Sequence, residues 1–139
     1  MEETRRKLLL SPEVKQVKAN EYDIVISTDA VDRDGDIIEV DGWEIDNYLA
    51  NPVVLWAHDY RGVPVGRALE VRKEKPNLVA RFEFREAANE FDPVLPIRAA
   101  WEQGIIRASS VAFRPILSVP IEGGREDDWW APRRFVQQE

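Results

Sequence analysis

Apolar and polar residues trade places one by one along Leu78-Val79-Ala80-Arg81-Phe82-Glu83-Phe84, which sets Leu78, Ala80, Phe82 and Phe84 on one side of an extended chain and Val79, Arg81 and Glu83 on the other. A period of two is the pattern of a strand with one buried and one wet face. Further β-branched or alternating runs at residues 22–28, 36–40, 53–57, 63–72, 105–114, 116–121 and 134–138 predict strands in the same way.

Two helices interrupt them. Asp41-Gly42-Trp43-Glu44 places Glu three residues after Asp, the arrangement of a capping box, and Asn51-Pro52 closes that helix after about two turns, because the residue before proline is steered out of the α region. The second helix begins at Asp92, whose carboxylate can accept from the free N–H groups of a helix start. Pro93 suits the first helical position and Gly104 the left-handed cap at the far end. On this helix Leu95, Ile97, Ala99 and Trp101 are expected to face the core. The expected class is α+β or mainly β: a small, mostly antiparallel β-barrel or sheet with two or three flanking helices.

With 139 residues the chain has the size of one domain, and neither an internal repeat nor a low-complexity tract divides it. The stretch at residues 122–128, Glu-Gly-Gly-Arg-Glu-Asp-Asp, reads as an exposed loop. There is no Cys, which removes thiol proteases, thiolate zinc sites and disulfides. A formal net charge of −7 argues against a surface built to grip nucleic acid or anionic lipid, so protein partners are expected. Nothing approaches the run of about 18 apolar residues that a membrane span needs. Arg5-Arg6-Lys7 ahead of Leu8-Leu9-Leu10 imitates a signal peptide, but Ser11-Pro12-Glu13 cuts the apolar part too short, and a cytosolic location is expected.

His58 is the one histidine, at the end of the apolar run Val53-Val54-Leu55-Trp56-Ala57 and ahead of Asp59-Tyr60-Arg61-Gly62. A group held by a sheet yet open at a loop is well placed for chemistry, although a histidine at a strand end is also an ordinary surface residue. In Gly104-Ile105-Ile106-Arg107-Ala108-Ser109-Ser110-Val111-Ala112-Phe113, read as a strand, Ser110 shares a face with Ala108 and Ala112, which leave room for a polypeptide against its hydroxyl. Ser109 faces the other way with Val111 and Phe113. A strand hydroxyl is often passive, but without Cys and with a single His this chain can build a nucleophile–base pair only from His58 and a Ser or Thr. The acidic group Asp29, Asp32, Asp34 and Asp36 fails the calcium-loop spacing, since counting from Asp32 puts Ile37 and Trp43 where Gly and Glu are required. A tight turn with Gly35 at positive φ explains it better.

Taken in order, these segments resemble the prohead maturation proteases of tailed bacteriophages, a family similar in fold to the herpesvirus assemblins. Ser27-Thr28 followed by Asp32-Arg33-Asp34-Gly35-Asp36-Ile37 resembles the family's Asp-x-x-Gly-Asp-Ile element, and Asn51-Pro52-Val53-Val54-Leu55-Trp56-Ala57-His58-Asp59 its apolar run ending in His. Val65-Gly66-Arg67-Ala68 resembles its Ile-Gly turn, and residues 104–113 its Gly-to-Ser-to-Gly-Phe segment, with Ala112 replacing the frequent Gly. The resemblance implies a serine endopeptidase with Ser110 as nucleophile and His58 as base, needing no cofactor and no metal. It implies action within the immature capsid in the host bacterial cytoplasm, on scaffold or the scaffolding segment of the major capsid protein and finally on the protease itself. The family continues past the equivalent of Arg133-Arg134-Phe135 into an acid-containing strand, so residues 1–139 read as a single protease domain truncated at its C-terminus. The third triad member is then Glu139 or a residue beyond it, and the strand left without its neighbour offers an edge for homo-oligomer formation. The alternative reading is a catalytically degenerate prophage or scaffold-like module that binds capsid protein without cleaving it.

Overall fold

A computed structural model of the chain describes residues 4–10, 14–121 and 132–139. The alternating run forms β7 (Asn77–Phe84), in which Leu78, Ala80, Phe82 and Phe84 are all buried, as the pattern requires. Val79, on the face expected to be wet, is buried as well, so that face is partly covered. β7 is the middle strand of an antiparallel five-stranded sheet with the spatial order β2 (Val14–Lys18), β3 (Glu21–Thr28), β7, β6 (Gly66–Glu74) and β5 (Val53–Val54). Arg72 and Arg81 both close on Asp23 across this sheet, at 2.8 Å each.

A second, two-stranded sheet pairs β1 (Arg5–Leu10) with β8 (Ala108–Phe113), antiparallel. The third places β10 (Arg133–Gln138) between β4 (Ile37–Ile38), parallel to it, and β9 (Pro115–Pro120), antiparallel. Phe135 of β10 is buried among Ile38, Trp43 and Phe113 in the common core. Among the described residues the architecture is therefore mostly antiparallel β with two short helices, and the strands lie in three sheets that do not close into a barrel. No described helix is long and apolar enough to cross a membrane.

Helix α2 (Val94–Glu102) starts and stops where its signals stand. Asp92 Oδ1 accepts from Val94 N at 3.0 Å, and Gly104 takes a φ of +73° just past the end. The buried face is turned from the expected one: Val94 is fully buried, Ile97 and Trp101 pack on the core, and Leu95 is exposed. Trp101 meets Tyr22, Phe82 and Phe84 with ring centroids 5.6, 5.4 and 6.2 Å away, which fixes the helix on the five-stranded sheet.

The first expected helix is broken. A 3-10 turn at Val40–Gly42 and a single α turn, α1 (Asp46–Leu49), flank Trp43, whose extended backbone bridges to Gln138 of β10. Glu44 N donates to Gln138 O at 2.7 Å. Pairing with a strand almost a hundred residues away overrides the local helical preference, and neither Asp41 nor Glu44 acts as a cap: Asp41 pairs with Lys75 and Glu44 accepts from Gln137. β1 and β2 were not expected, and the loop expected at residues 122–128 lies outside the described residues.

Candidate active site

Register decides which way the two adjacent serines point. In the antiparallel pair of β1 and β8, Arg5 stands opposite Phe113, Arg6 opposite Ala112, Lys7 opposite Val111 and Leu9 opposite Ser109. Directly opposed residues share a face, and faces alternate along each strand. Lys7 and Phe113, each 3% exposed, mark the inner face, to which Ser109 belongs. Ser109 Oγ donates to Val25 O at 3.2 Å, where the register of β3 slips between Val25 and Ser27. Ser110 belongs to the outer face with Ala108, Ala112 and Arg6, and it is half-buried. A hydroxyl tied inward is a structural group, whereas one between two alanines on the outer face is accessible to a ligand.

The apolar run ahead of His58 is a strand only at its start. β5 ends at Val54, the chain leaves the sheet at Leu55, and His58 sits in a tight turn closed by Asp59 N donating to Trp56 O at 2.9 Å. Its two central residues, Ala57 and His58, have φ of +52° and +55°. Such a turn suits Gly and Asn, and holding two other residues there costs about 1–3 kcal/mol each. Strain of this kind persists only where the surroundings impose it. They do so on both sides: Tyr48 Oη donates to Val53 O at 3.0 Å, Val65 N to Val54 O at 2.9 Å, and Asp59 Oδ1 accepts from Arg61 N at 2.9 Å.

Partial burial, and secondly the charge of Arg6, hold the His58 imidazole below its ordinary pKa. The exposed Arg6 guanidinium is thus felt at His58 from the strand face that carries Ser110, and among the described residues it makes no hydrogen bond or ion pair of its own. Sequence reasoning passed over Arg6 because its placement depends on β1 pairing with a strand about a hundred residues later. His58 and Ser110 are not hydrogen-bonded to each other, and no described carboxylate bonds to His58. Asp59 is engaged by its own turn, and Glu139 pairs with Arg114, whose backbone it also meets at 2.8 and 3.1 Å.

The acidic group behaves as a turn. Asp32 Oδ1 accepts from the backbone of both Asp34 and Asp36 at 2.9 Å, and Gly35 has a φ of +80°. Carboxylate oxygens of Asp32, Asp34 and Asp36 lie within 4.8 Å of one another, the one grouping among the described residues with a metal-ligand arrangement. Asp36 is spoken for by Arg133 N at 2.8 Å, and burial raises its pKa.

No family model and no solved structure matches the chain. Over 92 residues it is 29% identical to a prohead protease of Escherichia phage T5, an alignment taking in 63% of this chain and 41% of the phage protein. The chain thus matches about two fifths of that relative's length, and the similarity supports a relationship to a prohead protease.

Proposed function

We propose that the chain is a serine endopeptidase of phage capsid maturation, of the prohead protease family with its assemblin-like fold, in which Ser110 is the nucleophile and His58 the general base. The observation that carries this reading is the division of labour on β8: Ser109 is bonded into the core, while Ser110 stands on the face whose Arg6 acts on His58. The similarity to the phage T5 prohead protease supplies the biological setting. In the reaction Ser110 Oγ attacks the scissile carbonyl as His58 removes its proton, the leaving amine takes that proton back, and water repeats the sequence to free the acyl group. The two side chains must close to hydrogen-bond distance when substrate binds, as catalytic pairs in free enzymes often do. The substrates would be the scaffolding segment of the major capsid protein, and the protease itself, inside the prohead in the host cytoplasm.

The test is incubation with the cognate capsid protein that retains its scaffolding segment, followed by mass spectrometry of the fragments. Discrete fragments are expected from the native chain and none from Ser110→Ala, while His58→Ala is slowed by about 10²–10⁴-fold. Undiminished cutting by Ser110→Ala defeats the assignment. A second reading, a module that binds capsid protein without cutting it, is favoured by the absence, among the described residues, of a hydrogen bond between His58 and Ser110 and of a carboxylate partner for His58. Its signature is co-sedimentation with capsid protein and no fragments from any variant.

A further inference from the structure

Trp56 and Asp59, which bracket Ala57 and His58 in the tight turn, also wall a groove of about 470 Å³ that reaches from this turn to the start of α2. Phe91, Val94 and Ile97 form its other side. Single exposed apolar side chains are ordinary, but here Trp56 is 47% exposed, Val63 72% and Phe91 85%, and they converge on one concavity. The volume is that of a small-ligand site.

Its one cation is already paired. Arg85 and Asp92 close on each other through two bonds of 2.6 and 2.7 Å, Arg85 Nε donates to Pro64 O at 2.6 Å, and Asp92 accepts from Ala88 N and Val94 N. Asp59 is engaged by Arg61 N. The groove therefore offers an anionic ligand no free cation and offers an uncharged side chain an apolar wall. Its continuity with the His58 turn puts any occupant against Trp56 and Asp59, the residues on either side of Ala57 and the candidate base.

We propose that this groove receives a large apolar side chain of an extended peptide substrate, with Trp56 and Phe91 as its specificity-determining walls; the assignment rests on the endopeptidase reading. Burying one aromatic side chain predicts at least tenfold tighter binding of a peptide that carries it.

The experiment titrates the Ser110→Ala protein with acetyl-Ala-Phe-Ala-amide, acetyl-Ala-Ala-Ala-amide and acetyl-Ala-Glu-Ala-amide, following the Trp56 indole N–H by NMR, with Trp56→Phe identifying that signal. The phenylalanine peptide is expected to move the Trp56 signal and to bind at least about tenfold tighter than the other two. Phe91→Ser, at a position too exposed to matter for folding, removes that advantage. Equal affinities, a preference for the glutamate peptide, or a preference that survives Phe91→Ser overturns the proposal. So does a concentration-dependent dimer in light scattering that Phe91→Ser abolishes, since the groove would then belong to a second copy. A fluorophosphonate probe on the native protein tests the endopeptidase reading separately. Labelling of Ser110 without a phenylalanine preference sinks only the groove, and the preference without labelling sinks the reading on which its role as a substrate pocket depends.

Discussion

Arg6 confronts His58 with a charge of the sign the imidazole acquires when it takes a proton. Partial burial first, and this charge second, keep the candidate base unprotonated further into acid than an ordinary histidine. Because the folded pKa lies below 6.5, any stability that follows from this group is fully present above that value and falls as the solution is acidified through it. Arg6→Gln should raise the folded pKa, but only part of the way, since burial is the larger cause. Proton NMR of the one imidazole reads this directly, and an unchanged titration midpoint would show that Arg6 does not act on it.

The two serines should separate in stability as well as in reactivity. Ser109→Ala leaves Val25 O without its donor and is expected to destabilise the protein by about 1 kcal/mol in denaturant unfolding. Ser110→Ala, which breaks no side-chain bond among the described residues, should stay within about 0.5 kcal/mol of the native chain. A reversed pair of values would mean that β8 presents the opposite face, the result of a one-residue slip.

Gly66 has no room for a methyl group. A Cβ there would stand 2.0 Å from the backbone oxygen of Glu83 on the neighbouring strand, so β6 and β7 would have to move apart. Gly66→Ala should destabilise by about 3 kcal/mol. It should also disturb the His58 turn, because Gly66 pairs with Val54. Calorimetry together with the His58 NMR signal checks both, and a native-like melting point would show that the strands can yield.

Arg85 is the largest cause holding the Asp92 carboxyl well below the usual carboxylate range, followed by the N–H groups of Ala88 and Val94. That stability is fully present above the unfolded carboxylate value of about 4 and is lost as pH falls through the depressed folded value. Asp92→Ala should therefore lower the melting point at neutral pH and flatten the acid limb of a plot of stability against pH. If the native and variant acid limbs coincide, the pair is not what acid breaks.

How far the sequence carried depends on where each element finds its partner. β7 is legible because its alternation is a local property, and α2 because Asp92, Pro93 and Gly104 state its ends within a few residues. The segment around Trp43 reads as a helix because the contact that competes with it comes from Gln138, far along the chain. β1 went unseen because Arg5-Arg6-Lys7 does not alternate in polarity: Lys7 is buried, its Nζ donating to Thr28 O at 2.6 Å. The His58 turn reads as a strand end because neither Ala57 nor His58 is a residue type that announces a left-handed backbone.

β1 works on both sides at once. Lys7 enters the interior while Arg6, one peptide bond earlier, stands on the strand face of Ser110 and adds its charge to what lowers the His58 pKa. An anchor and a rim are thus printed on consecutive residues of a single ribbon, and no trimming can remove one and spare the other. A shortened chain designed to begin after β1 would lose its anchorage and its rim in the same cut, so an affinity tag or reporter joined to this protein belongs on a spacer ahead of Arg5, long enough to leave that ribbon undisturbed.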